Sequence, residues 1–282
     1  MNRFFKLASF LSFIVFFILP SFAYAKTFKS DVSGKSIFDS RIVPITEGKW
    51  YRPTVDTTWQ WQLTGDINQN YDVDVYDIDL FDTSIETIAE LKSSGKKVIC
   101  YFSAGSSENW RSDFEKFDSA SLGKSLDGWK GERWLDIRTK NVLDVMIARL
   151  DLAVSKGCDG VEPDNVDGYS NRTGFNLKIK DQLAFNRRLA NEAHSRNLTV
   201  ALKNAVEQAL ELVDYYDLTI NEECHVYREC SDLSVFTEND KPIFNAEYRL
   251  SKKLCSKALA NDIRTLVLPL ELDDSSRISC DE

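Results

Sequence analysis

The chain reads as a single (β/α)8 barrel, and three observations predict it. Short β-rich runs alternate with stretches of helical period, which argues for a parallel sheet flanked by helices. The part following an N-terminal leader comes close to the ~250 residues such barrels need. Polar residues gather at the C-terminal ends of the β-rich runs, where a barrel opens to solvent. Eight runs in one domain favour closure into a barrel over an open, doubly wound sheet.

The first element is the leader, residues 1–25. Arg3 and Lys6 precede an apolar run from Phe10 to Leu19, Pro20 breaks it, and Ala23-Tyr24-Ala25 has the small-x-small spacing of a signal-peptidase site. The run is short for a bilayer span, so cleavage after Ala25 is expected rather than anchoring. Residues 26–282 then form one domain, with no Gly/Ser-rich or Pro-rich linker and no repeat. The formal net charge of the 282 residues is -9, and losing Arg3 and Lys6 makes the mature chain more acidic still. That field repels nucleic acid and attracts cationic ligands. The expected product is a secreted or periplasmic monomer.

The strands are expected at 57–63, 72–82, 97–105, the first half of 157–169, 198–204, 216–225, 241–248 and 265–272. Between them, Thr83 with Glu86 resembles a capping box, Ile85, Ile88 and Leu91 share one face, and Gly95 ends the helix. Leu143, Ile147, Leu150 and Val154 line a second helix, stopped by Gly157. Further helices are expected at 181–196 and 206–213. The stretch 106–139 lacks a clear period and reads as a large loop with short helices over the C-terminal face. All six cysteines follow the leader, and export favours disulfides over zinc. Cys224 and Cys230 are close enough to bridge a short loop. Cys100 and Cys158 fall in predicted strands, where buried free thiols are the alternative.

The chemistry is expected where carboxylates collect. The fourth strand ends in Asp164-Asn165-Val166-Asp167, the sixth in Asn221-Glu222-Glu223, the seventh in Asn245-Ala246-Glu247-Tyr248 and the eighth in Glu271. Unpaired acids are costly in a core but useful at a barrel mouth, where two of them can cleave a glycosidic bond. Other chemistries fare worse. The two histidines, His194 and His225, form no H-E-x-x-H pair, no G-x-S-x-G elbow is present, and no G-x-G-x-x-G follows the first strand. Alternating Asp72, Asp74, Asp77 and Asp79 fit a strand better than a calcium loop. No metal or organic cofactor is expected. Trp59, Trp61, Tyr101, Trp110, Trp134, Tyr169 and Tyr248 offer flat rings for sugar faces, with core packing as the competing role for about half.

These motifs resemble glycoside hydrolase family 114, the endo-α-1,4-polygalactosaminidases and their relatives. The resemblance rests on DVDVYDIDLFD, KVICYFSAG, WLDIR (134–138), RLDLA (149–153), KGCDGVEPDNVDGY (156–169), ALKN (201–204), INEEC (220–224) and NAEY (245–248), in order from Trp59 to Glu271. It implies a (β/α)8 barrel acting on α-1,4-linked galactosamine, a polymer whose free amines are cationic near neutral pH. The acidic chain suits such a partner. The family's aspartate maps onto Asp164, as nucleophile or base, and its glutamate onto Glu222, as acid/base. Trp59, Gln60, Asp77, Tyr101, Ser103, Asn165, Asp167, Asn221 and Glu247 become candidate substrate contacts. Glu162, on the face of Asp164, is expected to pair with Lys203 beneath the site. Alternation raises one conflict. If Leu218 and Ile220 look toward the helices, Glu223 rather than Glu222 turns inward, and the motif then requires a bulge. The competing functions are hydrolysis of another α-linked glycan and sugar binding without catalysis.

Overall fold

The computed structural model describes residues 41–249 and 252–282. The leader, 1–25, lies outside them. The strands are β1 (Trp59–Gln62), β2 (Val75–Asp79), β3 (Lys97–Ser103), β4 (Ser106–Glu108), β5 (Leu122–Ser125), β6 (Glu132–Leu135), β7 (Gly160–Asp164), β8 (Thr199–Lys203), β9 (Leu218–Glu222), β10 (Ile243–Glu247), β11 (Ile263–Val267) and β12 (Ile278–Ser279). The helices are α1 (Ile85–Ser93), α2 (Lys140–Lys156), α3 (Ile179–His194), α4 (Ala209–Leu212), α5 (Cys224–Tyr227), α6 (Ser234–Thr237) and α7 (Cys255–Leu259).

Strands β1, β2, β3, β7, β8, β9, β10 and β11 pair in that order, all parallel. They are the eight expected strands, and the architecture is the expected TIM-type barrel. The last of them lies earlier than predicted. It stops at Val267, just before Pro269, which has no N–H for a ladder, and Glu271 sits in an exposed turn. The unforeseen β12 pairs antiparallel with β11. Its segment fills the seam toward β1, where Arg277 reaches the Gln60 side chain at 2.7 Å and the Leu63 amide donates to the Leu272 carbonyl at 3.0 Å.

Local chemistry sets the helix ends. Thr139 caps α2, and Gly157 ends it at φ 89°, a left-handed turn that glycine adopts without strain. The cap of α1 is Ser84, whose hydroxyl accepts from the Thr87 amide at 3.1 Å, rather than the expected Thr83. The segment 106–139 is more ordered than expected. Beside two 3-10 turns it holds the three-stranded sheet β4-β6-β5, whose strands are too short to show a period.

Several barrel strands divide their residues between two apolar layers, whereas β1 and β9 carry polar Gln60, Gln62, Thr219 and Asn221 outward. Tyr76, Ile78, Cys100, Phe102, Val161, Val200 and Leu202 pack outward with Ile88, Leu150, Phe185 and Leu189 of the helices. Trp59, Trp61, Val75, Ile99, Ala201, Leu218, Ile220, Phe244 and Ala246 fill the interior. Trp59 stacks on Phe244 there, with ring centroids 4.7 Å apart. This resolves the conflict over β9. Leu218 and Ile220 point into the barrel, so Glu222 follows them inward by plain alternation and no bulge is needed. Glu223 instead leaves the strand at φ 59° to start α5.

Three disulfides join Cys100 to Cys158, Cys224 to Cys230 and Cys255 to Cys280, so the free-thiol alternative for Cys100 and Cys158 is overturned. Closing a loop of 58 residues is worth about 4 kcal/mol in the chain-entropy picture.

Candidate active site

At the C-terminal rim the inward positions of neighbouring strands stop being apolar. One residue above Pro163 on β7 comes Asp164, one above Leu202 on β8 comes Lys203, and one above Asn221 on β9 comes Glu222. Asp164 and Glu222 line one cavity of about 290 Å³, together with Trp61, Tyr101, Trp129, Glu132, Trp134, Asn165, Asp167, Asn204 and Tyr248. The size suits one or two sugar units. Two further grooves continue it, one toward Glu223, Tyr227 and Glu229, the other toward Lys124 and Arg172.

Lys203 ties the acids together. Its Nζ lies 2.9 Å from Glu162 Oε1, 3.5 Å from Glu222 Oε2 and 3.7 Å from Asp164 Oδ1. It also sits 4.4 Å from the centroid of the Trp61 ring, whose Nε1 donates to Glu162 at 3.2 Å. The predicted pairing of Glu162 with Lys203 is therefore present. Burial alone would strip the lysine of its proton, but Asp164, Glu162 and Glu222 more than reverse this, and it stays an ammonium. Burial drives the Glu162 carboxyl up against the pull of Lys203. Beneath them Asp77 is fully buried, and burial and the neighbouring Glu162 raise its carboxyl well above the usual carboxylate range.

The two rim acids are held differently. Tyr101 Oη donates to Asp164 Oδ2 at 2.9 Å, and the Ala104 and Gly105 amides donate to the Asp164 carbonyl. Gly105 is obligatory, because a Cβ there would fall 1.7 Å from the Asn165 carbonyl oxygen. Glu222 accepts from Asn204 Nδ2 at 3.1 Å and from the Tyr248 hydroxyl. Burial would raise its carboxyl, but Lys203, Tyr248 and Asn204 together hold it below the usual value. Asp167 is pushed up to about 6 by burial and by the charge of Asp164. The chain turns through the left-handed region directly after each of these strands, at Asn165 (φ 59°), Asn204 (φ 48°) and Glu223 (φ 59°). Such backbone is costly for residues other than glycine and collects at functional sites.

Across residues 41–282 the sequence matches the model of glycoside-hydrolase family GH114. The chain belongs to family GH114. It is 42% identical to Aspergillus fumigatus Ega3, solved in complex with galactosamine, over 83% of this chain and 99% of that one, with a TM-score of 0.79. The glycoside hydrolase domain of PelA from Pseudomonas aeruginosa shares the fold at a TM-score of 0.62, with 12% identity over 79% of this chain and 97% of that one. No curated protein matches the chain significantly. As a GH114 member it is a glycoside hydrolase.

Not every residue expected in the GH114 site reaches the cavity. Tyr101, Asn165 and Asp167 line it with Asp164 and Glu222. Ser103 lies just behind, bonded to Ser106 Oγ at 2.6 Å and to Asn165 Nδ2 at 2.9 Å. Asp77 lies below, and Trp59 belongs to the apolar floor. Gln60, Asn221 and Glu247 sit on the outer faces of their strands. Gln60 bonds Arg277, and Glu247 accepts from the His225 amide at 2.9 Å. Glu132, Trp129 and Asn204 were missed. Glu132 and Trp134 alternate around Arg133, a period-two signal hidden by the brevity of β6. Among the described residues Cys224, His225 and Cys230 have metal-ligand proximity, but their sulfurs are bonded to each other and offer no thiolate.

Proposed function

We propose that this chain is an endo-acting hydrolase of α-1,4-linked galactosamine polysaccharide, with Asp164 and Glu222 as its carboxylate pair. The observation that carries the reading is the shared cavity, in which one lysine lies within 3.7 Å of both acids. Glycosidic cleavage needs two carboxyl groups flanking one bond. The galactosamine complex of a relative at 42% identity supports the sugar, and the net charge of -9 supports its cationic form. Grooves continuing on both sides of the cavity suit a polymer cut internally. Trp129 and Trp134 supply rings against sugar faces.

Asp164 acts as nucleophile or base and Glu222 as acid/base. Because Lys203, Tyr248 and Asn204 keep Glu222 low, a donor role requires the bound substrate to weaken those contacts. Cleavage of the leader after Ala25 would deliver the enzyme outside the cytoplasm, to a polymer of the cell surface or matrix.

The test is incubation of the mature protein with polygalactosamine, followed by mass analysis of the products. Short oligosaccharides are expected from the wild type. Asp164→Asn and Glu222→Gln should each lower turnover by about a thousandfold or more while leaving thermal unfolding intact. Normal turnover in either variant removes that residue from the pair.

A further inference from the structure

Among the described residues, several buried acids around the site come with cations; Asp77, beneath the site, and Glu247, on the outer face of β10, do not, and neither does Glu132, which lines the cavity. Asp79 and Glu108 share Arg111, Asp113 has Arg149, and Glu162, Asp164 and Glu222 share Lys203. Glu132, on β6, is 7% exposed and lies in the cavity wall on the Asp164 side. It forms no ion pair with a described residue. Its Oε2 accepts from Ser106 Oγ at 2.7 Å, and Ser106 continues through Ser103 to Asn165, the residue after Asp164. That chain fixes the carboxylate and leaves Oε1 to the cavity. Arg111, whose charge reaches Glu132, is already engaged by Asp79, Asp82 and Glu108.

A carboxylate built into a sugar cavity without a cation lacks half of its pair, because buried acids without partners are strongly disfavoured. We infer that Glu132 receives the protonated 2-amino group of a galactosamine unit bound beside Asp164, and so selects the free amine over its N-acetylated form. The inference rests on the galactosamine reading above. An ammonium donates charge-assisted hydrogen bonds to Oε1, whereas an acetamide carries no charge and leaves the acid unpaired. Trp134, two residues on and in the same wall, offers a ring for the apolar face of the same sugar. Burial, with Glu108 and Asp164 adding to it, pushes the Glu132 carboxyl up to about 7. An arriving ammonium favours the carboxylate, so binding near neutral pH should expel a proton.

Glu132→Gln tests this, because the amide oxygen still accepts from Ser106. Two measurements are made on the mature protein and the variant. The first is the ratio of kcat/KM on polygalactosamine to that on the N-acetylated polymer. The second is calorimetric binding of galactosamine and of N-acetylgalactosamine in buffers of different protonation enthalpy, which counts protons and serves where the acetylated polymer is not cut. The variant should lose the preference for the free amine by about tenfold or more, and with it the proton release. An unchanged preference in an active enzyme overturns the inference and leaves the galactosamine reading standing. An equal loss on both polymers and both sugars also overturns it, since Glu132 would then act on structure or proton transfer. A wild type inert on both polymers overturns the galactosamine reading beneath it.

Discussion

The floor and the rim of the barrel are made by the same strands, two residues apart, and they obey opposite rules. On β9 the inward step from Ile220 to Glu222 leaves an apolar layer and enters a charged one, as does the step from Ala201 to Lys203 on β8. The floor is held by indole and phenyl rings in contact, Trp59 on Phe244 and Trp61 nearby. It tolerates no charge because nothing there could solvate one. The rim holds three acids around one ammonium, and the side chains of Asp164 and Glu222 keep 18% and 30% of their surface in contact with solvent. Trp59 and Phe244 stabilise the cylinder below the cavity, Trp61 bridges the two layers by lining the cavity, and rim residues are placed at a cost that the floor offsets.

That division can be broken by substitution. The largest effect is expected at the junction of the two layers. Lys203→Met leaves Glu162 and Glu222 without the cation that opposes their burial, so both carboxyls rise. Activity at neutral pH should fall about a hundredfold or more, and breaking the buried pair should cost about 3–5 kcal/mol, softened where a carboxyl takes up a proton. Rates on folded protein and denaturant unfolding measure the two separately. If rates survive, the lysine serves only the floor.

Phe244→Ala examines the opposite case. It empties a ring-sized volume from the floor and should cost about 3–5 kcal/mol in chemical unfolding. The specific activity of the folded fraction should stay close to wild type. A loss of activity matching that of rim variants would end the separation of the layers.

Tyr248→Phe is the mildest change and sharpens the role of Glu222. The tyrosine hydroxyl is one of the donors that hold this carboxyl low, so its removal raises the Glu222 pKa. If Glu222 donates the proton, the alkaline limb of the kcat/KM profile moves upward, because the acid stays protonated to higher pH. If it serves as the base, the acidic limb moves upward instead. A shift of up to about one pH unit is expected, and the limb that moves assigns the role.

Much of this was legible without coordinates, for identifiable reasons. Period-two runs and their turn signals located all eight barrel strands, and the acids of DNVD and INEEC drew attention to the ends of β7 and β9. Glu162 and Lys203 were paired from face and position alone, at what proves to be 2.9 Å. Gln60, Asn221 and Glu247 show the limit of that method. Each lies on a rim strand with a suitable side chain, but each points outward. Glu132 was invisible because the sheet carrying it has strands of only three or four residues.

The amino-acid sequence by itself determined the eight barrel strands, the acids at the ends of β7 and β9, and the family. Those are local properties, written in spacing and motif. Which face of each strand turned inward was decided only by the tertiary structure: β2, β3 and β8 are apolar on both sides at floor level, while β1 and β9 send polar Gln60, Gln62, Thr219 and Asn221 outward, so alternation alone does not name the inner face. The pairing of Cys100 with Cys158, the threefold engagement of Lys203 and the presence of Glu132 in one cavity with Asp164 were likewise decided by closure. Each depends on residues far apart in the chain being brought together.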